Sequence, residues 1–149
     1  MSDYKASLKD TSEIRKDIAI AFVVAEFNKV HTEALERLNR EFLFENGFEN
    51  VDTFWVPGAF EIPWFAAKLL ESENYDLIIT LWVVIRGDTP HFDYVCTEAS
   101  RGIMDLTLSY DTPVIFGILT CNTEAQVVER IGHGFAVSGL NLLTEVIKL

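Results

Sequence analysis

Along the chain, nearly continuous apolar runs alternate with stretches whose apolar positions recur every three to four residues. The first run is "DIAIAFVVAEFN", in which Ile18 to Val24 is apolar and rich in β-branched residues. Such a run suits a strand of a parallel sheet covered on both faces, where no side chain has a solvent side on which to be polar. Three further runs repeat the signal: "VDTFWV" (Val51 to Val56), "LIITLWVVI" (Leu77 to Ile85) and "PVIFGILT" (Pro113 to Thr120). Between them the period becomes helical. Leu35, Leu38 and Phe42 mark one face of a first helix ending near Gly47, and Phe92, Cys96, Ala99, Ile103 and Leu106 mark the third. The second, "PWFAAKLLES", is short and takes Pro63 in its first turn, where a missing N–H breaks no bond.

Toward the C-terminus, "NTEAQVVERIG" offers Asn122 or Thr123 as a helix cap and Gly132 as a stop. After it, "FAVSGLNLLTEVIKL" predicts a last helix whose apolar face includes Phe135, Leu140, Leu143 and Ile147. Strand and helix alternate from end to end, which predicts an α/β layered fold around a parallel sheet. No repeat, low-complexity tract or linker interrupts the pattern. Residues 18–149 are therefore expected as a single domain, and residues 1–17, "MSDYKASLKDTSEIRKD", as a flexible N-terminal arm with no apolar core of a signal peptide.

Composition narrows the class of function. The formal net charge is -11 and no basic cluster exists, which excludes a general affinity for nucleic-acid backbones. The apolar run around "LIITLWVVI" falls well short of the roughly 20 residues a spanning helix needs, so no membrane segment is expected. Cys96 and Cys121 are too few for a disulfide framework and sit inside apolar patterns, as reduced thiols of a cytoplasmic protein do. The 11 Phe and 3 Trp exceed what a core of this size needs, a lean toward rings at ligand or subunit interfaces.

In parallel sheets ligands bind beyond the carboxyl ends of the strands. Those ends read "EFN" (Glu26 to Asn28), "PGAFE" (Pro57 to Glu61), "RGDTPH" (Arg86 to His91) and "TCNTE" (Thr120 to Glu124), a set with an aromatic ring, Gly-containing turns, carboxylates and a histidine. In the third, Thr89 is a good cap and Pro90 suits the first helical position, which puts His91 in the first turn. Free N–H groups and the helix dipole there favour an anion such as phosphate. The dipole favours a neutral imidazole and Asp88 a charged one, a balance that suits proton transfer near neutral pH. Each residue also has a structural reading: His91 as a solvated first-turn residue, Glu61 and Arg130 as complements to helix dipoles, Phe27 as core. His31 and His133 read as surface residues. No metal-spaced cluster, "GxxxxGK" loop or "GxGxxG" turn is present.

The segments "VVAEFN", "VPGAFEIP", "VIRGDTPHFDYV", "PVIFGILT" and "ERIG", in this order and without evident gap, resemble the lumazine synthase family. The resemblance covers nearly everything from Ile18 onward. It implies a flavodoxin-like three-layer α/β/α sandwich with a four-stranded parallel sheet, assembled into pentamers that in some members form an icosahedral shell. It also implies condensation of 5-amino-6-(D-ribitylamino)uracil with L-3,4-dihydroxy-2-butanone 4-phosphate to 6,7-dimethyl-8-ribityllumazine, phosphate and water, with no metal or organic cofactor. By position, Phe27 would stack on the pyrimidine, Ala59, Phe60 and Glu61 would hold the ribityl chain, and Val83, Val84 and Ile85 would contact the uracil. Asp88 and Thr89 would meet the phosphate-bearing substrate and His91 would shuttle protons. From the adjacent subunit, Phe116 would close the pocket and Arg130 would bind phosphate.

Three positions depart from the family pattern. Gly134 and Ser138 stand where lysines are usual, which leaves Arg130 alone with the phosphate. Trp82 stands where a small residue precedes "VIRG", and overpacking a core that lacks room typically costs about 1–3 kcal/mol. The last helix is also unusually apolar, as an added subunit contact or an engineered surface would be. A second reading, from a different class, is a scaffold that keeps the assembly, as a cage component, with reduced or no activity. A third, a flavodoxin-like electron carrier, lacks the hydroxyl-rich phosphate loop a flavin mononucleotide needs.

Overall fold

The computed structural model describes residues 5–149. Four strands, β1 (Ile20–Ala25), β2 (Val51–Val56), β3 (Leu77–Ile85) and β4 (Val114–Cys121), form one sheet in the order β2-β1-β3-β4, with every neighbouring pair parallel. Five helices complete the fold: α1 (Lys29–Glu45), α2 (Ile62–Ser72), α3 (His91–Ser109), α4 (Glu124–Arg130) and α5 (Gly134–Val146). A 3₁₀ turn, Ala59–Glu61, leads into α2. This is the flavodoxin-like α/β arrangement, and no helix among the described residues is long and apolar enough to cross a membrane.

All six residues of β1 are buried, which is why its sequence shows no alternation. Ile20, Phe22 and Val24 enter one core cluster with residues of α1, α4 and α5, whereas Ala21, Val23 and Ala25 enter a second with residues of α2 and α3. The period of two is present in the packing but hidden in the composition. Two close approaches depend on glycine. A Cβ at Gly117 of β4 would lie 2.0 Å from the Thr80 carbonyl oxygen, and one at Gly102 of α3 would lie 2.8 Å from the Pro63 ring.

The expected face of α1 is only partly the observed one. Leu35 is buried, but Leu38 and Phe42 are half-buried, and the inward stripe is Thr32, Leu35, Glu36, Asn39 and Leu43. Asn39 is fully buried and three bonds hold it: its Nδ2 donates to the Leu35 and Gly132 carbonyls at 2.7 and 3.0 Å, and its Oδ1 accepts the Ala136 N–H at 2.8 Å. That last bond satisfies an amide in the first turn of α5, whose own N-cap, His133, supplies no side-chain bond. Likewise α5 buries Ala136, Val137, Gly139, Leu140, Leu143 and Thr144, while Phe135 is half-buried and Ile147, beyond the helix end, is exposed. The chain leaves α4 through extended Ile131, one residue before the expected stop at Gly132.

Of the expected N-terminal arm, residues 1–4 lie outside the described residues. Residues 5–19 form neither helix nor strand, yet Ile14 and Ile18 are buried in the first core cluster. The Lys9 N–H donates to Asn141 Oδ1 at 2.8 Å, and the Asn141 amide donates to the Ser7 carbonyl at 3.0 Å.

Candidate active site

The carboxyl ends of β1, β2 and β3 open into one cleft of about 760 Å³, within the size range of small-molecule sites. Each end is fixed by bonds the sequence dictates locally. After β1, the Glu26 and Phe27 N–H groups donate to the Val56 and Pro57 carbonyls, extending the pairing past the sheet. Asn28 then turns the chain with a left-handed φ of 61°, a conformation asparagine tolerates, and its Nδ2 donates to the Val83 carbonyl at 2.8 Å. Phe27 is thereby held on a rigid corner with its ring 71% exposed toward the cleft it lines. Exposure of a ring that size, on backbone this constrained, suits stacking better than core packing.

After β2, "PGAFE" forms the 3₁₀ turn, which brings Ala59, Phe60 and Glu61 to the cleft wall, with Ala59 buried and the other two exposed. After β3, Val83, Val84 and Ile85 line the cleft as buried or half-buried residues, and Thr89 and His91 line it as exposed ones. Thr89 Oγ1 accepts the His91 N–H at 3.4 Å, a long bond, while the Pro90 carbonyl accepts from Asp93 and Tyr94 to start α3. Nine of the twelve anticipated site residues, Phe27, Ala59, Phe60, Glu61, Val83, Val84, Ile85, Thr89 and His91, therefore share one cleft.

Three stand elsewhere. Asp88 is exposed in the loop and its side chain does not line the cleft, although Gly87 and Thr89 on either side do. Phe116 lies on β4, the open edge of the sheet, 42% exposed. Arg130 is exposed at the end of α4, where it donates to the Gln126 carbonyl at 3.4 Å. Within one chain the cleft thus holds an acid/base group, a carboxylate and rings, and its lining includes no lysine or arginine.

Arg86, given no role by its sequence context, braces the loop that carries His91. Its Nε donates to Asn122 Oδ1 at 3.0 Å, a terminal nitrogen pairs with Asp93 at 3.3 Å, and its guanidinium covers the Phe92 ring at 4.5 Å. A charged residue ending a nine-residue apolar strand was the available signal. Burial, followed by the Asp93 charge, pushes the nearby Cys96 thiol up, against the opposing pull of Arg86, so this cysteine is protonated at neutral pH. His31, expected at the surface, instead has a side chain only 12% exposed and faces Glu124 at 2.9 Å, linking the starts of α1 and α4. His133 is exposed as anticipated, stacked on Phe42 with centroids 4.4 Å apart.

No group of three or more His, Cys, Asp or Glu that would hold a metal ion occurs among the described residues. Trp82 is 1% exposed and sits in the second core cluster, whose other members include the small residues Ala21, Ala25, Ala59 and Ala99, so the indole is part of the packed core. The family model described as 6,7-dimethyl-8-ribityllumazine synthase matches residues 17–149.

Proposed function

This chain belongs to the 6,7-dimethyl-8-ribityllumazine synthase family, and on that premise we propose how its own residues carry the reaction. The family's condensation belongs to riboflavin biosynthesis and joins 5-amino-6-(D-ribitylamino)uracil to L-3,4-dihydroxy-2-butanone 4-phosphate. The observation that carries the assignment of roles is the convergence of Phe27, Glu61 and His91, from three different strand ends, on one cleft. Phe27 stacks on the pyrimidine, Ala59, Phe60 and Glu61 hold the ribityl chain, and the Val83–Ile85 backbone meets the uracil edge. Thr89 and Asp88 orient the phosphate-bearing substrate at the start of α3.

An aromatic amine and a ketone react slowly but spontaneously once brought together, so the cleft acts mainly by proximity and orientation. His91 moves the protons that imine formation, phosphate departure and ring closure require. The cleft is short of positive charge for a phosphate, and neither Phe116, on edge strand β4, nor Arg130, at the end of α4, lines it within one chain. Both residues are supplied by a neighbouring copy in a pentameric ring, Phe116 covering the bound ring and Arg130 binding phosphate through its planar donor fork. The reaction takes place in the cytoplasm, where the free thiols of Cys96 and Cys121 stay reduced.

Mixing the purified protein with both substrates and following lumazine absorbance and fluorescence tests the proposal. Activity is expected, and His91→Ala is expected to lower turnover about 10²-fold without abolishing it, the low end of what positioned proton transfer contributes. Full activity in that variant would remove the proton-transfer role. Ser138→Lys, which returns a cation near the phosphate, is expected to lower KM for the butanone phosphate several-fold, about 1 kcal/mol of charge-assisted binding. An unchanged KM would place Ser138 outside the phosphate site. A protein that assembles but shows no product formation favours the scaffold reading instead.

A further inference from the structure

Trp82 lines the cleft but has none of the roles proposed above. Its indole Nε1–H has no acceptor, the one buried side-chain donor or acceptor so left among the described residues. Buried polar groups are otherwise paired almost without exception. No hydrogen bond fixes the indole, so packing alone sets its orientation. Its packing partner toward the sheet edge is Phe116, met edge to face with ring centroids 5.5 Å apart and planes at 83°. The energy of such a pair depends on mutual orientation.

At the other end of this contact the backbone is held and the ring is not. Thr80 is buried opposite Phe116 in the β3–β4 register, donating its hydroxyl to the Ile115 carbonyl at 2.7 Å and accepting the Gly117 N–H at 3.4 Å. The bonds on both sides of Phe116 clamp the strand, while the ring remains 42% exposed on the edge strand.

We propose that Trp82 is a positioning residue linking occupancy of its own cleft to the orientation of Phe116 at the open edge of the sheet. The proposal rests on the reading of Phe116 as the ring that covers the neighbouring subunit's cleft, and extends it. A ligand in the cleft settles the wall to which the buried Trp82 belongs, the indole settles Phe116, and the next cleft around the ring receives a cover already ordered. Ordering accomplished by the first ligand is not repeated for the second, so successive sites bind more tightly.

Titration of the assembled protein with 6,7-dimethyl-8-ribityllumazine tests the link through the Hill coefficient. A coefficient above 1 is expected, with first and last sites differing about 5-fold, the low end of ordinary coupling. Trp82→Phe, which keeps a core ring, is expected to bring the coefficient to 1. A purely structural Trp82 would lower affinity or melting temperature without moving it. A wild-type coefficient of 1, or no change in Trp82→Phe, overturns the proposal. Phe116→Ala separates it from its premise: parental binding removes the reading of Phe116 and the proposal together, whereas weakened binding beside an unmoved coefficient in Trp82→Phe removes the proposal alone.

If Trp82→Phe does not assemble, a Trp55→Phe/Trp64→Phe protein labelled with 5-fluorotryptophan gives one fluorine resonance, from Trp82. That resonance is expected to move on product binding, and by a different amount in a Phe116→Ala background. A resonance that stays in place, or moves equally in both, overturns the link.

Discussion

The two faces of the sheet differ at one buried polar group. Against α1 and α5, Glu36 and Asn39 are both buried and both engaged: Arg40 and Thr53 donate to the Glu36 carboxylate, and Asn39 binds two carbonyls and one amide. Glu36 in turn holds the Arg40 guanidinium above its usual pKa, chiefly through their hydrogen bond. Under the cleft, Trp82 keeps an N–H that nothing accepts. An unpaired buried group costs about 1–3 kcal/mol, so a face that only supports the fold has every reason to pair each one. The face beneath the cleft leaves one ring tied by packing alone, which is where the proposed link to Phe116 begins.

Substitutions that test this contrast differ widely in size. Asn39→Ala is the most damaging, because it strands the Gly132 carbonyl and the Ala136 amide together. A loss of about 3 kcal/mol in unfolding free energy is expected, read from the fall in the urea midpoint, with product affinity of the folded protein unchanged. Trp82→Phe shrinks a ring without breaking a hydrogen bond, so about 1.5 kcal/mol is expected, with the main effect on binding. Equal losses in the two variants would show that both faces serve packing alone.

The smallest effect concerns Tyr75, at the margin of the cleft-side core, whose hydroxyl donates to Asp52 at 2.7 Å. Burial, then that carboxylate, pushes its phenol up to about 12. An unfolded phenol titrates near pH 10, so the fold favours the protonated form; the stabilisation is whole below about pH 10 and lost as pH rises through about 12. Tyr75→Phe is therefore expected to be about 1 kcal/mol less stable than the parent at pH 8 and to converge on it above pH 10. A gap independent of pH would assign the loss to packing.

Much of this was legible in the sequence because burial on both faces leaves an apolar run, as in β1 and most of β3, while the partly buried β2 still shows β-branched and aromatic residues around Asp52 and Thr53. β4 is displaced by one residue only, from Pro113–Thr120 to Val114–Cys121. The cleft residues were legible for a related reason: in a parallel sheet the residue after each strand has a known place. The inward face of α1 was not. Counting apolar positions selects Leu38 and Phe42, whereas the chain buries Glu36 and Asn39, whose partners Thr53, Gly132 and Ala136 lie 17, 93 and 97 residues away. A polar residue is buried where its partners converge, and no local period records that. Arg86 escaped for the same reason, since its brace needs Asn122, 36 residues on. In α5 the counted residues were large, but Ala136 and Gly139 supply the close approach; a Cβ on Gly139 would already lie 3.0 Å from Leu77.

The Asn39 bonds also have a consequence in time. The Ala136 amide that Asn39 accepts belongs to the last helix of the chain. During synthesis, β1 to α3 leave the ribosome while that partner has not yet been made. Until α5 arrives, Asn39 lacks its Gly132 and Ala136 partners and keeps only the Leu35 carbonyl of its own helix. The docking of the first helix is thereby tied to a segment 97 residues further along the chain.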